Sequence, residues 1–173
     1  MSTQKAVLRK ELLSLRKTLP KTSLTINMLN SYREFKNAET VFCYVAYNGE
    51  VDTLDLLTDI IKEKTLLVPH CIDDNGNMIA VKINSAEDLV KGMYGIYEPA
   101  NPTPFPKEKI DFVIVPGVAF SKDFYRLGYG KGYYDRFLSD INPYKLGICK
   151  KELFLEKLPH NEHDIKMDDV LTL

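Results

Sequence analysis

The stretch Val41-Phe42-Cys43-Tyr44-Val45-Ala46-Tyr47, broken by Asn48-Gly49-Glu50, leads through Leu54-Asp55-Leu56-Leu57-Thr58-Asp59-Ile60-Ile61 to Thr65-Leu66-Leu67-Val68-Pro69. The first run is continuously apolar, β-branched and aromatic, which suits a strand covered on both faces. Leu56, Leu57, Ile60 and Ile61 recur at helical spacing behind a cap at Asp52 or Thr53. The run from Thr65 to Pro69 is a second strand. Strand, helix and strand in this order form a βαβ unit and predict a parallel pair joined by a crossover helix.

Working outward, Asp73-Asp74-Asn75-Gly76 is a turn signal, and Met78 to Ile83 reads as a further strand. Ser85-Ala86-Glu87-Asp88 reads as a helix start with an imperfect capping box, Asp standing at its fourth position. Tyr97 to Lys109 holds four of the nine prolines and predicts an extended connector. Asp111 to Val115 is another buried strand, ending at Pro116-Gly117, and Val118 to Gly132 follows as a long loop. Tyr133 to Leu138 opens a helix, Lys145 to Cys149 is strand-like, Lys151 to Leu158 is helical, and Val170 to Leu173 closes as a strand.

Upstream, Leu8, Leu12, Leu15 and Leu19 define an amphipathic helix over 3–19, stopped by Pro20. Thr22 or Ser23 caps a second helix through Ile26, Leu29, Arg33 and Phe35. No internal repeat is present. Alternating strands and helices predict an α/β fold, a three-layer α/β/α arrangement of Rossmann type. Its central sheet is mostly parallel but mixed, with helices on both faces. Ligands of such folds sit at the carboxyl ends of strands, which places Asn48-Gly49-Glu50 and the loop after Val115 at one cleft.

The chain has 173 residues, 45% of them hydrophobic, enough for one well-buried core, so a single domain over 1–173 is expected. Formal net charge is −1, which argues against a general nucleic-acid binder. The charge is unevenly spread: residues 1 to 36 carry eight Lys/Arg against two Glu, and the tail from Glu152 carries six acids against two lysines. That asymmetry suits a site for an anion and a cation. Cys43, Cys71 and Cys149 are odd in number and widely spaced, so they read as buried thiols, neither a disulfide framework nor a zinc site. No apolar stretch approaches membrane-spanning length and the N-terminus lacks the apolar core of a signal peptide, so a soluble, cytoplasmic monomer without membrane contact is expected.

The chemistry concentrates in Arg126-Leu127-Gly128-Tyr129-Gly130-Lys131-Gly132-Tyr133-Tyr134-Asp135. Alternating glycines permit positive φ and close backbone approach. Their amides, a helix N-terminus and Lys131 offer positive charge to one spot, which is a phosphate cradle. A P-loop would place Ser or Thr after Gly-Lys, where Gly132 stands, and the G-x-G-x-G spacing is not the dinucleotide fingerprint. The alternative is a glycine-rich surface turn with an incidental lysine. On the opening helix, at 100° per residue, Lys5, Arg9 and Arg16 fall within about 40° at the edge of the leucine stripe, whereas Lys10 and Lys17 point to solvent. Ligand binding and the snorkelling of long cationic side chains over a core edge both account for that placement.

Four segments together resemble the 5-formyltetrahydrofolate cyclo-ligase, or methenyltetrahydrofolate synthetase, family. They are Lys5-x-x-Leu8-Arg9, Glu50-Val51-Asp52-Thr53, Pro116-Gly117-Val118-Ala119-Phe120 continuing through Arg126 to Asp135, and His163-Asp164-Ile165-Lys166-Met167-Asp168-Asp169-Val170. The resemblance implies a Mg²⁺-dependent enzyme that uses ATP to cyclise 5-formyltetrahydrofolate to 5,10-methenyltetrahydrofolate, releasing ADP and phosphate through a phosphorylated formyl oxygen. A small-molecule kinase using the same cradle is the competing enzymatic reading, and a non-catalytic nucleotide or folate binding module is the other.

By the same resemblance, Arg126 and Lys131 are the catalytic candidates. ATP would be held by Lys5, Ala6, Val7, Leu8 and Arg9 together with Arg126, Leu127, Gly128, Tyr129, Gly130, Lys131, Gly132, Tyr133 and Tyr134. The folate would meet Arg9, Val45, Glu50, Tyr94, Tyr129, Gly130, Lys131, Gly132 and Tyr133, with Glu50 reading the pterin ring. Tyr94 stands where many relatives have Trp. Asp135 and Asp164 would hold Mg²⁺; pairing with the helix dipole and solvation in an acidic tail are the respective alternatives. His160 and His163 read as surface histidines.

Overall fold

Burial on both sides dictates the central layer, in which each main strand sends alternate side chains into two separate cores. A computed structural model describes residues 3–92 and 95–173. Its main sheet contains β1 (Thr40–Cys43), β2 (Thr65–Cys71), β3 (Met78–Ile83), β6 (Phe112–Pro116), β9 (Tyr144–Cys149) and β11 (Asp169–Thr172) in the order β11-β9-β6-β1-β2-β3. All neighbours are parallel except β2 and β3, which form an antiparallel hairpin at one edge. Val41, Cys43, Leu66, Val68, Phe112 and Ile114 enter one core; Phe42, Leu67, Val113 and Val115, one residue out of phase, enter the other.

Helices cover both faces, completing the three-layer α/β/α fold. α2 (Ile26–Leu29), α3 (Arg33–Asn37) and α4 (Leu54–Ile61) supply Leu29, Phe35, Leu56, Leu57 and Ile60 to the first core. α1 (Thr3–Thr18) and α5 (Tyr133–Leu138) supply Leu12, Tyr134, Phe137 and Leu138 to the second. Two smaller sheets complete the molecule: β4 (Leu89–Lys91) with β5 (Tyr97–Pro99), and β10 (Phe154–Leu155) with β7 (Ala119–Ser121) and β8 (Arg126–Leu127). Among the described residues no helix is long and apolar enough to cross a membrane.

Several local expectations change. The leucine stripe of α1 turns so that Leu15 is exposed while Arg16 is buried. The long helix after Pro20 is two short ones, because Ser23 bridges Asp52 and the Thr22 carbonyl accepts from the Asp52 amide, holding this segment extended. Thr53 stands at the N-cap of α4, but its hydroxyl donates to the Tyr44 carbonyl, and Asp52 accepts from the Leu54 amide instead. The Ser85–Asp88 capping box is complete, yet it closes a single 3₁₀ turn before β4. The long loop after Val118 contains the β7–β8 hairpin. Residues 151–158 are not helical: a 3₁₀ turn leads into β10, which pairs with β7. Cys43 and Cys149 are buried, but Cys71, at the end of β2, is exposed.

Gly147 shows how tightly the second core is filled, since a Cβ there would fall 2.4 Å from Cε1 of the fully buried Phe120. Gly147→Ala should therefore destabilise the fold by about 1–3 kcal/mol through overpacking, read as a lower midpoint in urea at an unchanged slope.

Candidate active site

The order β11-β9-β6-β1-β2-β3 reverses direction between β1 and β6, and the chain leaves these two strands toward opposite sides. A crevice must open beyond their carboxyl ends. It is a cavity of about 670 Å³. Tyr44, Val45 and Glu50 reach it from the loop after β1, Cys71 from the end of β2 and Pro116 from the end of β6; residues 126–135 form one long wall.

Within that wall, Gly130 and Gly132 take φ of 101° and 73°, a region in which a side chain is strained. Gly132 is the N-cap of α5, so the loop delivers its amides at the start of that helix. The β2–β3 turn anchors it. Arg136 donates through Nε to the Gly76 carbonyl at 3.1 Å and through Nη2 to the carbonyls of Asn75 and Lys131, while the Tyr133 hydroxyl donates to the Asp73 carbonyl at 2.6 Å. A Cβ on Gly76 would overlap the Arg136 guanidinium, so glycine is needed at the point of closest approach. Lys131 is exposed on the cavity wall, its ammonium 3.3 Å from the Asp74 carbonyl.

α1 forms the opposite wall. Lys5 pairs with Asp164 at 2.5 Å and Arg9 donates through Nε to the Gly128 carbonyl at 2.7 Å. The cationic edge of the helix thus faces the glycine loop, and burial lowers the Arg9 pKa. Ala6 and Val7 are exposed and Leu8 packs into the second core; none of the three lines the cavity.

Arg126 and Asp135 meet at 2.9 Å, with the Arg126 side chain only 7% exposed. The second oxygen of Asp135 accepts from the Ile165 amide, which brings the tail segment holding Asp164 to the same wall. Asp164 also accepts from the Asn161 amide at 2.6 Å. Among the described residues no group of three or more His, Cys, Asp or Glu side chains is disposed to hold a metal. Asp135 and Asp164 both line the cavity, the first paired with Arg126 and the second with Lys5.

Glu50 accepts from the Tyr47 amide at 2.9 Å and from the Tyr129 hydroxyl at 3.1 Å. Burial pushes its pKa up to about 7, against the opposing pull of the Tyr47 amide, Arg16, Tyr129 and Arg126. Tyr134 lines the cavity with a buried hydroxyl that lacks a protein partner. Burial, and next the nearby Glu50, hold its pKa well above the ordinary phenol value. Val45 lines the same end, whereas Tyr94 lies outside the described residues.

Sequence reasoning missed Gln4, Cys71, Pro159 and Asn161 on the cavity wall, none of which carries a local motif. His160 is exposed as expected, yet it lines the cavity and stacks on Tyr125 at 3.6 Å between ring centroids. Arg16 stood out in the helical projection, but only its long-range contacts bring it beneath the site.

The chain is similar to known proteins in sequence and in fold. Residues 1–173 match the 5-formyltetrahydrofolate cyclo-ligase family. The chain is 33% identical over 143 residues to 5-formyltetrahydrofolate cyclo-ligase of Escherichia coli K12, covering 78% of each chain. It is 28% identical over 173 residues to the Mus musculus 5-formyltetrahydrofolate cyclo-ligase, covering 92% of this chain and 85% of the other. The NMR structure of Aquifex aeolicus 5,10-methenyltetrahydrofolate synthetase superposes with a TM-score of 0.86 at 36% identity, over 98% of this chain and 90% of that one.

The raised pKa of Glu50 has a measurable sign. A carboxyl that holds its proton more tightly when folded contributes stability below the unfolded value near 4.5, and loses it as pH rises through about 7. Glu50→Gln should therefore raise stability at pH 8 relative to pH 5, by on the order of 2 kcal/mol, in paired denaturant titrations.

Proposed function

The chain belongs to the 5-formyltetrahydrofolate cyclo-ligase family, and from that premise we propose that it cyclises 5-formyltetrahydrofolate to 5,10-methenyltetrahydrofolate at the expense of ATP. The observation that carries the proposal is the convergence, in one cavity of about 670 Å³, of a glycine loop with Lys131, the cations Lys5 and Arg9, and the half-buried carboxylate of Glu50. That volume suits a small-molecule site.

The formyl group on nitrogen 5 is amide-like and a poor electrophile. Transfer of the γ-phosphoryl group to its oxygen turns that oxygen into a leaving group and releases ADP. Nitrogen 10 then attacks the activated carbon, the C–O bond breaks, phosphate departs and the proton of nitrogen 10 is lost, leaving the methenyl bridge. The protein's part is to align the reactants and offset phosphate charge.

The glycine-loop amides and Lys131 would hold the transferring phosphoryl group, with Arg126 alongside. Lys5 and Arg9 would extend the positive wall along the triphosphate, and Arg9 would reach the folate. Glu50 would accept N–H donors of the pterin, with Val45 and the Tyr129–Tyr133 segment around the ring. Tyr134 keeps an unpartnered hydroxyl for a ligand atom. Asp135 and Asp164 would hold Mg²⁺, which when bound neutralises part of the phosphate charge. Lys5 and Arg126, now paired with these two carboxylates, supply cations at the same place.

Purified protein with Mg·ATP and 5-formyltetrahydrofolate should generate the methenyl chromophore together with inorganic phosphate. Lys131→Ala should lower kcat/KM about 100-fold, as loss of a charge-stabilising donor does. Absence of an ATP-dependent chromophore overturns the proposal, and accumulation of a stable phosphorylated product would favour a kinase instead. Asp135→Asn should raise the Mg²⁺ concentration needed for half-maximal rate about tenfold while changing folate binding less; equal changes in both would remove its metal role.

A further inference from the structure

Arg16 lies near the C-terminal end of α1 and is 2% exposed, yet no carboxylate pairs with it among the described residues. Its Nη1 donates to the Gly117 carbonyl at 3.1 Å, its Nη2 donates to the Tyr129 hydroxyl at 2.5 Å, and its Nε is buried without a partner. The guanidinium lies over the Tyr129 ring at 5.4 Å and attracts the Glu50 carboxylate without pairing with it directly, an arrangement that the anchoring of a helix, which an apolar residue such as Leu12 supplies, does not require.

The hydrogen bonds have a direction. Arg16 donates to the Tyr129 oxygen, and that hydroxyl donates its own proton to Oε1 of Glu50 at 3.1 Å. The stem of Arg16 also lies beneath the turn that carries Glu50: a Cβ at Gly49 would stand 3.6 Å from Arg16 Cγ. Arg16, Glu50 and Lys150 also line a second, small cavity of about 10 Å³, the space of about one water. Hydrogen bonds from the Tyr47 amide and Tyr129 hold its two oxygens, leaving each a free lone pair for a ligand donor.

We propose that Arg16 and the Tyr129 hydroxyl are a positioning relay for Glu50, in which the guanidinium fixes the phenol and the phenol aims the carboxylate at the N–H edge of the folate ring. The inference rests on the proposed function for the identity of that ligand. Because Tyr129 belongs to the glycine loop, the relay also joins the phosphate-binding wall to the group that orients the second substrate.

The test combines steady-state kinetics with a structure. Tyr129→Phe keeps the ring and removes the hydroxyl, and should raise KM for 5-formyltetrahydrofolate about tenfold, more than it lowers kcat or raises KM for ATP. Arg16→Met, which keeps the buried stem, should act similarly, and Arg16→Lys, which restores a cation, should recover most of the loss. The double variant Arg16→Met/Tyr129→Phe should be no worse than either single one, because both break one chain. A folate KM within twofold of the unmodified protein in Tyr129→Phe overturns the relay, as do multiplying effects in the double variant or equal behaviour of Met and Lys at 16. In a crystal structure of Tyr129→Phe the Glu50 carboxylate should be rotated; an unmoved carboxylate overturns the relay whether or not the protein turns over. Failure of the unmodified protein to form the chromophore falls on the proposed function alone.

Discussion

Everything at the site depends on β1 and β6 being buried on both faces while lying side by side and parallel. A doubly buried parallel pair cannot be joined by a tight turn, so each strand must deliver its chain at the same end of the sheet and send it away to a covering layer. β1 continues toward α4 and β2, and β6 toward the small sheet and β9. The gap between these diverging paths is where Glu50, Pro116 and the glycine loop meet. The cavity is a consequence of strand order, and its chemistry comes from the loops beside it.

The glycine loop is flexible by composition and held by its neighbours. Arg136 places one guanidinium against three backbone carbonyls, two from the β2–β3 turn and one from Lys131 itself. Tyr133 reaches the same turn. The antiparallel edge hairpin thereby props the glycine loop, a use that its position at the sheet edge permits. Such anchoring fixes the loop before any ligand arrives, which lowers the ordering cost of binding.

Charge at the site is arranged in pairs that a nucleotide would redistribute. Lys5 with Asp164 and Arg126 with Asp135 each join a cation to a carboxylate across the cavity wall. Under the proposed function a triphosphate would offer the cations competing oxygens, and a divalent ion would offer the carboxylates a competing charge. Glu50 is different: it lacks a direct ion pair among the described residues, and burial outweighs the hydrogen bonds from the Tyr47 amide and the Tyr129 hydroxyl, so its charge responds to pH near neutrality.

Local pattern alone determined much of this protein. The continuous apolar run from Val41, the helical spacing after it and the second strand ending at Pro69 were enough for a parallel α/β sheet, because a strand covered on both sides needs apolar residues at every position. The projection of α1 gathered Lys5, Arg9 and Arg16 on one edge, and the alternating glycines marked the loop that lines the cavity. Tertiary structure decided what local pattern does not encode. Residues 151–158 have helical spacing but form a 3₁₀ turn followed by Phe154–Leu155, which pairs with the distant β7. Arg16 is buried while Leu15 is exposed, because the glycine loop and the Glu50 turn, far away in sequence, close over the cationic edge of the helix. Asp135 and Asp164 share a wall through the Ile165 amide, a contact spanning 30 residues. Periodicity records which face of an element is covered; what covers it depends on contacts between distant segments, and those exist only once the sheet has set its strand order.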